Sequence, residues 1–346
     1  MRCIALDLGG NAIKAGAMEL TLEKGRVVAS DTQALSEQHM AARFVNLPLR
    51  DAAKQPDGLR ALLEQMKQAF AQALAQVGWT PKQAESLGVG LPGTTDSERG
   101  VCVNAPAVSC LNDVPIIEEL HQALGFAGPL AIGNDVNLAT LGEARLGAAR
   151  KFGNVVMIAL GKGIGGGVTI AGEMWPGAHG FAMEIGHLPL EKDGPPCECG
   201  KWGCFETLAG SEEIAERARR KIRAGRKSRI TELVGGDLSK VEPETLSRAG
   251  PDDAVAVETF REVGEVIGRA LTCAILLLDP DAVIVGGGVA KAGELLFGPI
   301  RDTVRERCMN EAFDVANILE PALGKWAGTH GAAVFGAERA ERDTAA

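Results

Sequence analysis

The chain has 346 residues, 46% of them hydrophobic and 23% charged, with a formal net charge of −9. That length accommodates two domains with separate cores, and the acidic balance argues against broad contacts with a nucleic-acid backbone. No apolar run approaches the roughly 20 residues of a membrane span, and the opening MRCIALDLGG lacks a basic leader and a cleavage site, so a cytoplasmic protein without membrane attachment is expected.

Residues 2–8 (RCIALDL) read as a buried strand ending at Gly9-Gly10, and residues 13–18 and 26–30 as the next strands of a meander. A helix is expected over 57–77, where Leu59, Leu62, Leu63, Met66, Phe70, Leu74 and Val77 recur at three and four residues and Gly78 closes it. Residues 85–91 form a strand running into Pro92-Gly93, and Asp113 is placed to cap a helix reaching residue 124. A strand over 130–133 stops at Asn134-Asp135, where a helix starts and runs to about residue 146. The β-branched run 154–160 is a buried strand, and Gly161-Lys162-Gly163-Ile164-Gly165-Gly166-Gly167 turns it into 168–170. Helices follow over 211–224, with Ser211 as cap, and over 252–278. A strand at 281–285 enters Gly286-Gly287-Gly288, and an Ala-rich helix covers 327–340. Strands alternating with helices, each strand ending in a Gly-rich turn, specify an α/β architecture with functional loops at the strand ends. The strand-and-turn units near 3–10 and 155–167 suggest a weak internal duplication.

The densest chemistry lies in the stretch 180–206, with the spacing His187-x9-Cys197-x-Cys199-x4-Cys204. Three thiolates and one imidazole complete a tetrahedral set for zinc and leave no position for water. Ordinary buried thiols would not explain why three of eight Cys crowd into eight positions beside one of five His. Scattered remaining Cys and a thiolate site suit a reducing compartment. Three glycine turns are candidates for nucleotide contacts. Asp7-Leu8-Gly9-Gly10-Asn11 puts a carboxylate at a strand end, able to hold Mg²⁺ through water, beside backbone N–H groups for phosphate. Gly161-Lys162-Gly163 is the second turn. At Gly286-Gly287-Gly288 the missing side chains let an adenosine lie against backbone. Each alone is an ordinary tight turn, and none matches a P-loop or a dinucleotide fingerprint. Lys14 either approaches phosphate or is exposed. Asp135, at a helix N-terminus, is expected to stay ionised and accept a proton; plain helix capping is the alternative.

The run Glu184-x-Gly186-His187 followed by Cys197-x-Cys199-Gly200-x-x-Gly203-Cys204-x-Glu206 resembles the signature of the ROK family of repressors, open reading frames and sugar kinases, and the other sites extend the resemblance from Asp7 to about Gly336. The resemblance implies the two-lobed actin-like, ribonuclease-H-like ATPase fold with a cleft between α/β lobes, the smaller formed by 1–120 plus 330–346 and the larger by 121–329. It implies a homodimeric kinase that uses ATP and Mg²⁺ to phosphorylate a hexose or N-acetylhexosamine, most often on the 6-OH. It assigns the first two glycine turns to phosphates, the third to adenosine, and Asp135, beside Asn134, to the general base. The resemblance also places Gly90, in Gly90-Leu91-Pro92-Gly93, near the sugar. It implies that Glu184 and Glu206 accept the sugar hydroxyls and that His187 touches the sugar through the nitrogen not bound to zinc.

The family usually has Thr where this chain has Asn11 and Lys162. Asn11 can still donate a hydrogen bond. Lys162 either supplies charge to a γ-phosphate or polyphosphate chain, or fills the pocket and leaves a weak kinase or a non-catalytic sugar sensor. Residues 104–112 stand where sugar kinases of the family often carry Pro-Asn and Trp. Here Ala107, Val108 and Cys110 make that wall small and less polar, which argues against plain glucose. Family repressors carry a helix-turn-helix ahead of the first phosphate strand, which here starts at residue 2, so a repressor is not expected. His39, His121 and His179 read as loop or exposed residues, and His330 as part of the start of the last helix.

Overall fold

The computed structural model describes residues 1–28, 44–55 and 57–345. In chain order the first elements are β1 (Arg2–Leu8), β2 (Ala12–Glu19), β3 (Thr21–Glu23), β4 (Arg26–Val28), β5 (Phe44–Pro48), α1 (Leu59–Val77) and β6 (Ser86–Leu91). Then come β7 (Thr94–Asp96), β8 (Val101–Asn104), α2 (Ile116–Leu124), β9 (Leu130–Asn134), α3 (Asp135–Arg145), β10 (Val155–Leu160), β11 (Ile164–Ile170) and β12 (Glu173–Met174). The remainder is α4 (Phe205–Ala209), α5 (Ser211–Arg223), α6 (Arg229–Leu233), α7 (Pro243–Ala249), α8 (Ala254–Leu278), β13 (Ala282–Gly286), α9 (Glu294–Arg307), β14 (Ile318–Leu319) and α10 (Ala327–Ala345). Among the described residues no helix is long and apolar enough to cross a membrane.

The chain forms two compact units, one of Met1–Gly153, Gly167–Ala182 and Pro321–Ala346, the other of Asn154–Gly166 and Met183–Glu320. The compact units divide elsewhere than at residue 120. β9 pairs with β6, and α3 packs on α10, so 121–153 stay with the first unit. Two five-stranded sheets have the orders β5-β2-β1-β6-β9 and β12-β11-β10-β13-β14. Each has a central strand with its hairpin neighbour on one side and two parallel strands on the other, in keeping with the suspected duplication. The expected meander is only partly present: β5 joins β2, while β4 pairs with β3 in a separate ribbon, and 29–30 lie outside the described residues, as does His39.

β1 shows how the sheet divides its neighbours. Ile4, Leu6 and Leu8 pack with Leu62, Met66 and Phe70 of α1, whereas Cys3 and Ala5 pack with Leu138 and Ala332 of α3 and α10. This is the two-residue period of a strand covered on both faces. Gly78 ends α1 in the left-handed conformation, its N–H turned back to Leu74 and Ala75. Other local expectations give way. α2 starts after Pro115 without a side-chain cap, and Asp113 sits in a left-handed turn ahead of it. Gly165–167 continue β11 as strand and do not form a loop. Ser211 is the first helical residue of α5 and its side chain caps nothing. His121 bonds the Phe126 carbonyl through Nδ1 at 2.7 Å. His330 is buried, its Nδ1 2.9 Å from the Trp326 carbonyl, and burial holds its pKa below the ordinary value. His179 is an exposed loop residue.

α10 lies backbone to backbone on its neighbours. A Cβ on Gly331 would stand 1.6 Å from the Leu138 carbonyl oxygen of α3, far inside van der Waals contact. Gly331→Val is expected to cost about 3 kcal/mol by overpacking, read as a lowered urea midpoint. An unchanged midpoint would mean that α10 does not pack this way.

Candidate active site

In the first unit three parallel strands end in one row. Asp7 of β1 is in register with Gly90 of β6, and Gly90 with Gly133 of β9. Asn134 then caps α3: its Oδ1 accepts from the Val136 and Asn137 N–H groups, both at 3.0 Å, and its Nδ2 donates to the Gly93 carbonyl at 3.0 Å. Capping therefore falls to Asn134. Asp135, the first residue of the helix, accepts the N–H of its neighbour Val136 at 2.9 Å on Oδ1. Asp7 is buried and accepts from Lys14 Nζ at 2.8 Å, a pairing that follows from the β1–β2 register, which sets 7 opposite 14. Lys14 is thus neither solvated freely nor unpaired. α10 begins directly against this carboxylate: a Cβ on Gly328 would lie 2.6 Å from Asp7 Oδ2.

Asp135 is half-buried. Loss of solvation first, then the Asp7 carboxylate, push its pKa up to about 7, against the weaker pull of the Val136 N–H and Lys14. The helix N-terminus, expected to keep it ionised, meets two opposing effects. Burial and a like charge outweigh the helix terminus, and the group is poised near neutrality. Gly9, Gly10 and the exposed Asn11 form the tight turn from β1 to β2, closed by the Gly9 N–H on the Ala12 carbonyl at 2.9 Å. The small sugar wall is corrected too. Val108 and Cys110 are buried in the core, Cys110 Sγ 3.1 Å from the Ala53 carbonyl, and only Ala107 of the three is exposed. Two of the three residues that argued against glucose are therefore closed off from solvent.

The second unit holds the metal-type cluster. The ligand atoms of His187, Cys197, Cys199 and Cys204 all lie within 4.8 Å of one another. Cys199 Sγ to Cys204 Sγ is 3.7 Å, and Cys197 Sγ to His187 Nδ1 is 3.5 Å. Zinc–sulfur bonds of ~2.3 Å in a tetrahedron give edges of about 3.8 Å, so the donor set and its spacing fit a closed zinc site. Burial and the neighbouring thiols push Cys204 up to about 12, so only a bound cation would ionise all three Cys together. With Nδ1 turned to the thiols, His187 keeps Nε2 for a second partner. Glu184 and Glu206 lie close enough to influence one another. Glu184 is exposed; partial loss of solvation and, more weakly, Glu206 raise its pKa against the pull of His187. Glu206 spends Oε2 on the Ile164 N–H at 2.8 Å.

The two remaining glycine segments meet. Gly161, Lys162 and Gly288 line one cavity of about 500 Å³ with Val289, Arg248 and Lys291. Gly163 turns instead toward Glu206, Gly286 is buried at the end of β13, and Gly287 backs onto Leu160. Arg248 and Lys291 were not legible as pocket residues. Arg248 comes from α7, whose sequence carries no motif, and Lys291 stands three residues past Gly288.

The ROK family pattern matches residues 3–339. The chain belongs to the ROK family. A glucokinase of Thermotoga maritima is 31% identical over 98% of each chain. A ROK family glucokinase from Streptomyces griseus, solved in complex with glucose and AMPPNP, is 30% identical with a TM-score of 0.78, over 97% of this chain and 99% of that one. The DNA-binding transcriptional repressor Mlc of Escherichia coli is 29% identical over 65% of this chain and 53% of its own length. The fold is the actin-like ATPase fold of ROK sugar kinases, and the enzyme class is that of a sugar kinase.

Proposed function

We propose that the protein transfers the γ-phosphoryl group of ATP to a hydroxyl of a hexose or N-acetylhexosamine, the 6-OH being the one favoured, with Asp135 as general base. The observation that carries this reading is Asp135 itself: first in its helix, relieved of capping by Asn134, and brought to about 7 by burial and Asp7. A base at that value accepts a proton near neutral pH. In the reaction Asp135 takes the hydroxyl proton, the sugar oxygen bonds the γ-phosphorus, and the bond to the β–γ bridging oxygen breaks to leave ADP. Asp7 would hold Mg²⁺ through water by Oδ1, its Oδ2 being taken by Lys14. Magnesium would supply charge neutralisation on the phosphates.

The backbone of Gly9, Gly10 and Asn11 and the turn of Gly161, Lys162 and Gly163 serve the phosphates. The cavity at Gly288 takes the adenosine. Gly90, Asn134, Glu184, Glu206 and His187 Nε2 serve the sugar, and a zinc ion on His187, Cys197, Cys199 and Cys204 shapes that loop without taking part in the chemistry. The assay is ATP and Mg²⁺ with a panel of hexoses, glucose included, and N-acetylhexosamines. ADP release with at least one sugar supports the reading, and sugar binding without turnover across the panel would make the protein a sensor.

One observation favours a second donor. Lys162 is exposed and has no ion pair among the described residues, and it shares its cavity with Arg248 and Lys291. Glu242 and Glu244 line the same cavity, so the three cations leave a surplus of one positive charge. That surplus suits a chain of phosphates, so inorganic polyphosphate belongs in the same assay in place of ATP, with Lys162→Thr as the variant that separates the donors.

A further inference from the structure

We propose that the His187–Cys197–Cys199–Cys204 cluster also governs the donor-phosphate turn at 161–163, through Glu206; this rests on the kinase reading above. The link is the backbone of Ile164, which ends the turn and begins β11. From one side Glu206 Oε2 accepts the Ile164 N–H at 2.8 Å. From the other, Gly186 comes so near that a Cβ there would lie 2.0 Å from the Ile164 carbonyl oxygen. Gly186 adjoins the ligand His187, and Glu206 is two residues past the ligand Cys204. Ile164 is therefore gripped between two segments, which the four ligands help to tie together, beside the backbone bonds from the Phe205 N–H to the Leu188 carbonyl at 2.8 Å and from the Leu190 N–H to the Gly203 carbonyl at 2.9 Å.

The rest of the turn is fastened from the same stretch. The Ser211 N–H donates to the Gly161 carbonyl at 2.9 Å. A Cβ on Gly163 would lie 2.5 Å from Glu206 Oε2, and one on Gly210 would lie 2.7 Å from the Lys162 carbonyl oxygen. The turn's own bond, from the Gly161 N–H to the Gly163 carbonyl at 2.9 Å, closes it. Close-packed backbone of this kind transmits a displacement instead of absorbing it. Glu206 is thus a positioning residue for the phosphate donor, besides its role on the sugar. Separating His187 from Cys204 releases the Ile164 N–H and loosens the turn.

The test is titration with ADP in the absence of sugar. Zinc-loaded, chelator-stripped and zinc-restored protein are compared, with circular dichroism reporting the fold. ADP affinity is expected to fall about tenfold on stripping and to return with zinc. Should stripping unfold the protein, a pair of variants that keep all four ligands decides the matter. Glu206→Leu is expected to weaken ADP about tenfold at unchanged zinc content, and Glu206→Gln, whose amide oxygen still accepts from Ile164, to restore most of it. ADP affinity unmoved in Glu206→Leu overturns the inference and leaves the kinase reading standing. Absence of ADP binding by the zinc-loaded wild type overturns the kinase reading, and the inference with it.

Discussion

Asp135→Asn is expected to lower kcat about 10²- to 10⁴-fold, the share of a positioned general base, while sugar binding stays nearly intact. The wild-type rate should rise with pH and half-saturate near the value of about 7 set by burial and Asp7. The base must be ionised, so activity is lost as pH falls through that point, and the variant should show no such limb. Stability should move the other way. The folded-state pKa is raised, so the folded protein binds the proton more tightly than the unfolded chain does. The stability this gives is fully present below the unfolded value of about 4 and is lost as pH rises through about 7. At about pH 8, above that value, the buried charge weighs on the wild type and is absent from the Asp135→Asn variant, which should melt higher. Unchanged turnover in that variant would remove Asp135 from the chemistry.

Chelation is the second large effect. The purified chain is expected to carry about one zinc, and removing it should lower Tm by about 10 °C or more. The stretch between His187 and Cys204 carries no regular helix or strand beyond one short 3₁₀ turn, Ile185–His187. It is held by scattered backbone hydrogen bonds and isolated bridges such as Pro189 with Cys204 and Pro196 with Trp202. Without a cation the stretch also keeps a buried Cys204 thiol pushed up to about 12. Calorimetry with metal analysis, repeated on Cys204→Ser, measures both quantities. A metal-free protein that melts where the loaded one does would refute the zinc assignment.

What the sequence disclosed and what it withheld divide by range. The four cluster residues were legible because they fall within one short stretch, 187–204, and the spacing itself carries the chemistry. Asn134 and Asp135 were legible because a strand stopping at a polar pair marks a helix start. The division of labour between them was not, since either side chain can cap and only the fold shows Asn134 doing so. Val108 and Cys110 misled because the segment Pro106–Leu111 is 3₁₀ with a non-helical kink at Val108, and neither the strand nor the helix period applies to it. The pairing of Lys14 with Asp7 was within reach, because a tight β1–β2 hairpin sets 7 across from 14. The contact of Gly331 with Leu138, far apart in the chain, left no local sign in an Ala-rich helix.

Cys199 carries a liability of its own. Alone among the cluster's three thiols it is exposed, a condition that favours attack by peroxide. Its sulfur stands 3.7 Å from that of Cys204, so a sulfenic acid formed there has a resolving partner at hand and collapses to a disulfide with loss of water. A preparation that sheds its ion in air would then age into a crosslinked form that added zinc cannot rescue until a reductant reopens the bond.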